Sequence, residues 1–190
     1  MRRVTAALMW PVLALATVGL GPTATASAPS GAYEWHVADQ FLHDIVGSPL
    51  GAIARADNGE TLTVEGNGSM DVGARTASGG GTVVHKDAAG HVLATGTFEA
   101  TGLVSFQSFG CGGEGLPDFL CGGIARLNIT ITPDFDTTLH FPSVLWIDCA
   151  LSNPPPSAVE GVRVNIKDFI NFNKSLDEEE GSGFTVFVKQ

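Results

Sequence analysis

From residue 61 onward the chain repeatedly alternates apolar and polar side chains. Leu127, Ile129 and Ile131 alternate with Arg126, Asn128 and Thr130, and Val162, Val164 and Ile166 alternate with Arg163, Asn165 and Lys167. Leu62 and Val64 stand beside Thr61, Thr63 and Glu65, while Phe184, Val186 and Val188 alternate with Thr185 and Lys189, with Phe187 falling on the polar side. A period of two is that of a strand with one buried face, so these segments read as half-buried antiparallel strands. Further strands are expected at 33–37, 69–74, 81–85, 91–100, 103–109 and 144–149. Asp87-Ala88-Ala89-Gly90 has the composition of a tight turn, which makes 82–100 one long hairpin. One short helix is expected at 39–46, with Phe41, Leu42, Ile45 and Val46 on its inner side.

Nine or ten strands at short spacing define an all-β class. An antiparallel β-barrel with one short N-terminal helix is the leading architecture and a β-sandwich the second. Glycines at 66, 68, 73, 79–81, 96 and 102 fall within or beside strands, where they supply bends and bulges; such bends suit a closed, coiled sheet. Three loops stand out: the glycine-rich 111–121 segment, the proline-rich 152–157 connector, and the acidic 176–183 loop before the last strand. No internal repeat is present.

The N-terminus adds a different kind of pattern. Met1-Arg2-Arg3 is followed by an apolar run from Val4 to Leu20 and a small-residue stretch ending near Ala28, the layout of a secretory signal peptide. Cleavage is expected after Ala26, leaving 27–190 as a single extracellular domain. The run is interrupted by Pro11 and is shorter than the ~20 residues a spanning helix needs; no other segment is long and apolar enough. Removing Arg2 and Arg3 leaves 8 basic and 20 acidic side chains, a formal charge of −12 against −10 for the whole chain. An acidic surface of that kind repels nucleic acid and anionic membranes, so neither is an expected partner.

Export permits disulfides, and there are three cysteines. Cys111 and Cys121 flank a loop whose closure would stabilise the fold by roughly 2–3 kcal/mol on a chain-entropy argument, whereas Cys149 shares a strand face with Leu145 and Ile147. A Cys111–Cys121 bond with Cys149 buried and free is the leading arrangement; a bond from Cys149 to one of the other two is the alternative. The spacing fits no zinc pattern, and neither a metal nor a cofactor is called for.

Candidate chemistry rests on imidazole–carboxylate pairs. Asp39 and His43 lie four apart and share a face if 39–46 is helical, within a cluster that includes Glu34, His36 and Asp44. His85 ends one strand of the long hairpin with Asp87 two residues on, and the competing reading is a polar hairpin tip in water. Asp134 and Asp136 follow a strand and a proline and are candidate calcium ligands, as is the 177–180 acidic run, though such runs more often form solvated tips. Trp35, Phe106 and Trp146 are candidate ligand-lining aromatics, with plain core as the alternative. No nucleophile elbow, phosphate loop or dinucleotide fingerprint occurs.

The segments Gly79-Gly80-Gly81-Thr82-Val83-Val84-His85, Ser105-Phe106-Gln107-Ser108-Phe109-Gly110, Glu160-Gly161-Val162-Arg163 and Asn171-Phe172-Asn173-Lys174 together resemble a group of small secreted bacterial and fungal β-rich proteins of unknown function. The resemblance implies a compact exported β-domain over residues 79–190 and carries no catalytic residue. The long hairpins and glycine bends are also similar to barrels of the lipocalin and allene-oxide-cyclase kind, an architectural likeness that does not fix function. The sequence thus leads to a binding domain for a small molecule or an extracellular protein. An isomerase, cyclase or hydrolase using a His/Asp pair in a barrel is the second expectation, and a structural surface protein the third.

Overall fold

The computed structural model describes residues 31–113 and 115–190; the segment 1–26, expected from the sequence to be a signal peptide, lies outside them. The order of elements is β1 (Ala32–Val37), α1 (Gln40–Val46), β2 (Ala52–Arg55), β3 (Thr61–Asp71), β4 (Thr76–Lys86), β5 (Val92–Gly113), β6 (Leu116–Pro133), β7 (Phe141–Cys149), β8 (Gly161–Ile166), β9 (Ile170–Phe172), β10 (Lys174–Ser175) and β11 (Thr185–Lys189). All pairings are antiparallel. Among the described residues no helix is long and apolar enough to cross a membrane.

Six strands close on themselves. β3 pairs β4, β4 pairs β5, β5 pairs β6, β6 pairs β11, β11 pairs β1, and β1 returns to β3, so the expected barrel is present as a hydrogen-bonded ring. The free edge of β3 is shared: β1 takes residues 66–71 and β2 takes 61–64. The second edge of β6 is shared in the same way, with β11 at Leu120 and Cys121 and β7 from Gly123 to Ile131. β7, β8 and β9 continue from there. β10 pairs β2, and its Ser175 hydroxyl donates to the Val162 carbonyl of β8 at 2.8 Å. One half of the ring is therefore closed by β1 and β11, the other by β2, β10 and β8.

Several expected strands are pieces of longer ones. Segments 61–65 and 69–74 fall in or beside the single strand β3, and 91–100 and 103–109 belong to one 22-residue strand, β5. The break read from sequence at Thr101-Gly102 is an irregularity in register between Ala100 and Gly102, one of four along β5 and β6. The 111–121 segment is likewise the tip of the β5–β6 hairpin. Cys111 and Cys121 are directly opposite and disulfide-bonded, and Cys149 is free and buried. β2, β9 and β10 carry too few residues to show a period.

The ring interior is filled by large rings set against glycines. Trp35 and Phe187 are fully buried and cross-strand neighbours; Phe106 packs on Phe187 at 5.0 Å and on Tyr33 at 4.8 Å. On the adjoining strands Gly68 lies beside Trp35 in register, Gly66 pairs Gly81, and Gly68 pairs Gly79. A Cβ on Gly68 would lie 2.6 Å from Trp35 Cζ2 and collide with the Ser78 carbonyl; one on Gly66 would lie 2.9 Å from Phe98 Cζ. The glycines make the volume that the aromatic rings occupy, so their role is packing as much as bending.

α1 rests on the outside of the ring. Asp39 caps it by accepting from the Leu42 amide at 3.2 Å, and Gly47 ends it at φ 70°, its N–H donating to the His43 carbonyl, as the cap chemistry of these residues dictates. Only Leu42 of the expected inner face is buried; Ile45 and Val46 stay exposed and Phe41 lies over His36 at 4.4 Å. The last strand is inverted relative to expectation. Phe187 points into the ring, while Phe184 and Val186 line a groove beneath α1. β11 is covered on both sides, so alternation does not mark its inner face.

Replacing Gly68 by Val is expected to destabilise the fold by roughly 2–4 kcal/mol through collision with Trp35 and Ser78. Gly102→Ala, where nothing lies within 4 Å of the new methyl, should stay within about 0.5 kcal/mol of the parent; urea unfolding curves of the two variants check both.

Candidate functional site

At one end of the ring, where β3 and β5 begin and β4 and β6 end, the packed interior stops short and leaves a cavity of about 180 Å³. Its wall is Leu62, Val83, Ala94 and Ile131 from the ring and Ile166 from β8, with Phe141, Phe169 and Phe135 around the mouth. Phe135 and Phe169 are 72 % and 64 % exposed. His85 is the one titratable side chain in the lining.

His85 reaches this wall because β4 alternates. Val83 and His85 take the inward side of the strand, and His85 sits opposite Leu62 in register. A tight turn then brings a carboxylate to it. The Ala56 amide donates to the Glu60 carbonyl at 2.8 Å, and Asn58 Oδ1 accepts from the Glu60 amide at 3.1 Å. This holds Glu60 just before β3, with Oε2 2.7 Å from His85 Nε2. The imidazole is boxed edge-on by Phe172 at 5.4 Å and Phe169 at 6.2 Å. A fixed, carboxylate-oriented imidazole in an apolar wall is a polar anchor for a ligand or the basic half of an acid–base pair.

The other sequence candidates are distributed differently. Asp39 does not meet His43. Its Oδ2 accepts from His36 Nδ1 at 2.7 Å and Asn67 Nδ2 at 3.1 Å, while His43 Nδ1 contacts the Ser48 carbonyl at 2.9 Å. Helical spacing is defeated because Asp39 is the cap, and its side chain turns back toward the ring. Asp87 likewise leaves His85 and engages His91 at the exposed hairpin tip, 3.0 Å away, and the His91 hydrogen bonds hold its carboxyl below the usual range. Trp35 and Phe106 are core residues, and Trp146 lies on the outer face beneath the Arg126 guanidinium at 5.6 Å. None of the three lines the cavity. Asp134 accepts from the Thr95 hydroxyl at 2.5 Å, and Asp136 accepts from the Thr138 amide and hydroxyl, which lower its pKa. Among the described residues no three His, Cys, Asp or Glu side chains are grouped to hold a metal ion.

Glu60 is the member that sequence reading missed. It lies 25 residues from His85, and only the pairing of β3 with β4 joins them. Phe135 and Phe169 were also passed over, each sitting in a turn with no alternation around it.

A second polar cluster, with Asp148 buried and Glu160 partly buried, lies at the far end of β7. Glu160 accepts from the Ala150 amide at 2.7 Å and from the Thr185 amide at 2.8 Å, and the single proton of the Thr185 hydroxyl is shared between Glu160 at 2.8 Å and the Asp148 carbonyl at 2.9 Å. The carboxylate thus supplies acceptors where the ends of β7 and β11 meet without strand pairing. Asp148 is buried; its Oδ2 accepts weakly from the Val159 amide and lies 3.6 Å from Arg163, while Oδ1 has no partner. Burial raises the pKa of both carboxyls, and the neighbouring Asp148 charge raises Glu160 further. Burial, with the two acids beside it, pushes the Cys149 thiol well up, which makes it a poor nucleophile.

Comparison with known proteins adds no identity: no family model, no curated protein and no solved structure matches the chain.

The raised carboxyls have a sign that can be measured. Folded Asp148 and Glu160 hold protons more tightly than their unfolded counterparts, so their contribution is most favourable below the unfolded pKa and is lost as pH rises through the folded one. The contribution of these two carboxyls to the unfolding free energy is expected to grow as pH falls through their raised folded pKa values toward the unfolded ones at about 4. The slope should be shallower in Glu160→Gln and in Asp148→Asn, read from urea titrations at stepped pH.

Proposed function

We propose that this protein is an exported binding domain that receives a small apolar ligand at the open end of its ring. The observation that carries the reading is the cavity beside His85. It is walled by aliphatic side chains, rimmed by two exposed phenylalanines and open on one side. Typical ligand pockets are about 300–1,000 Å³, so about 180 Å³ selects a single ring or a short branched chain. Apolar voids of about 150 Å³ stay dry and take benzene-sized guests. The basic, apolar, small-residue order of the N-terminus supports export.

The acid–base alternative now draws on His85 and Glu60 in place of His85 and Asp87. The lining offers it little else. His85 is its one titratable group, and the Thr95 hydroxyl is engaged by Asp134. Binding asks only for what the wall contains.

Toluene titrated into the isotopically labelled mature protein is expected to shift backbone and methyl resonances of Val83, Ala94 and Ile131, with saturation. Ala94→Phe, which fills the cavity from its own wall, should abolish those shifts and leave the remaining spectrum folded. Shifts mapping to another face, or none at saturating toluene, would overturn the reading.

A further inference from the structure

The polar edge of the cavity narrows the class of guest, an inference that rests on the binding reading above. Glu60 is a carboxylate acceptor 2.7 Å from His85 Nε2, so in the neutral ring the proton sits on Nε2 and Nδ1 carries the lone pair. Among the described residues none hydrogen-bonds Nδ1, and the atom is not sealed from solvent. The other side chains near it are hydrocarbon or aromatic: Leu62 across the strand, Phe172 and Phe169 at the ring edges. The space therefore pairs one acceptor with an apolar body about the size of a six-membered ring.

We propose that the cavity takes a phenol-class molecule, a single hydroxylated aromatic ring whose O–H donates to His85 Nδ1 while its ring lies among Val83, Ala94, Ile131 and Phe169. Three features favour this over a purely hydrocarbon guest or an anion. A hydrocarbon filling the cavity would displace water from Nδ1 and leave that acceptor without a partner, which is unfavourable. A carboxylate guest would meet the lone pair of Nδ1 and the nearby charge of Glu60, on a chain of net charge −10. A donor hydroxyl meets neither objection. The exposed rings of Phe135 and Phe169 at the mouth offer aromatic faces for an entering ring. Glu60 acts as a positioning residue, setting which imidazole nitrogen faces the guest.

The test compares p-cresol, toluene and benzoate by calorimetry and by NMR on the mature protein at pH 7.5. p-Cresol is expected to bind about tenfold more tightly than toluene, and benzoate more weakly than either. In His85→Phe toluene binding should persist while the p-cresol advantage disappears. Glu60→Gln, an amide able to donate to the imidazole and so reverse its tautomer, should reduce the advantage without abolishing toluene binding. Equal affinity for p-cresol and toluene, an advantage that survives in His85→Phe, or tightest binding by benzoate would each overturn the phenol assignment while leaving the cavity reading standing. Failure of all three probes to bind at this site would overturn the cavity reading itself.

Discussion

The structure depends on one steric constraint: the indole of Trp35 and the ring of Phe98 need the space that side chains on β3 and β4 would fill. Gly66, Gly68, Gly79 and Gly81 keep that wall bare, and an added methyl at any of them would strike backbone or an aromatic ring. With the wall bare, β1 can carry Trp35 into the ring while pairing both β3 and β11, which is how the sheet closes. Closure by aromatic filling also explains why the space left for a guest lies at the end. Bulk is concentrated in Tyr33, Trp35, Phe106 and Phe187, and the opposite end is lined by Leu62, Val83 and Ala94, which are too short to meet across it.

A ring with shared edges creates places where backbone groups lose their strand partners, and buried backbone groups must be satisfied somehow. Glu160 answers this at the junction of β7 and β11 by accepting from two main-chain amides and a hydroxyl. Ser182 and Ser48 do the same on a smaller scale, accepting from the Ile53 and Phe184 amides at 2.9 Å. The result is a partly buried acid whose proton affinity is raised by the position it must hold. The perturbed titration here accompanies a structural role, whereas the site argued for binding is identified by shape and by the imidazole in its wall. Perturbed carboxyls and functional sites often coincide; in this fold the raised carboxyls and the apolar cavity occupy different ends.

Alternation made β6 and β8 legible because each has one covered face, and the Asp87–Gly90 turn was legible because its residue types are those the geometry demands. β11 was misread for the converse reason: with α1 outside and the ring inside, both faces are apolar. The candidate imidazoles were identified, but their partners were chosen by nearness along the chain. His85 was matched with Asp87 and Asp39 with His43, whereas the fold joins His85 to Glu60 and Asp39 to His36 and Asn67. A contact made across β3 and β4 has no local signature, since it depends on a register fixed by the whole ring. The same holds for Phe135 and Phe169, whose meaning comes from the mouth on which they stand.

The Cys111–Cys121 bond ties the tip of the β5–β6 hairpin beside the point where β11 joins β6. The cavity lies at the other end of that hairpin, roughly 35 Å away along β6. One end of the domain is thus clamped covalently, while the other is held by hydrogen bonds and hydrocarbon contact alone. Thermal breathing should be polarised accordingly, with the mouth fraying while the clamped tip stays registered. Molecular traffic into the domain would then proceed through its softest region without asking the crosslinked half to move.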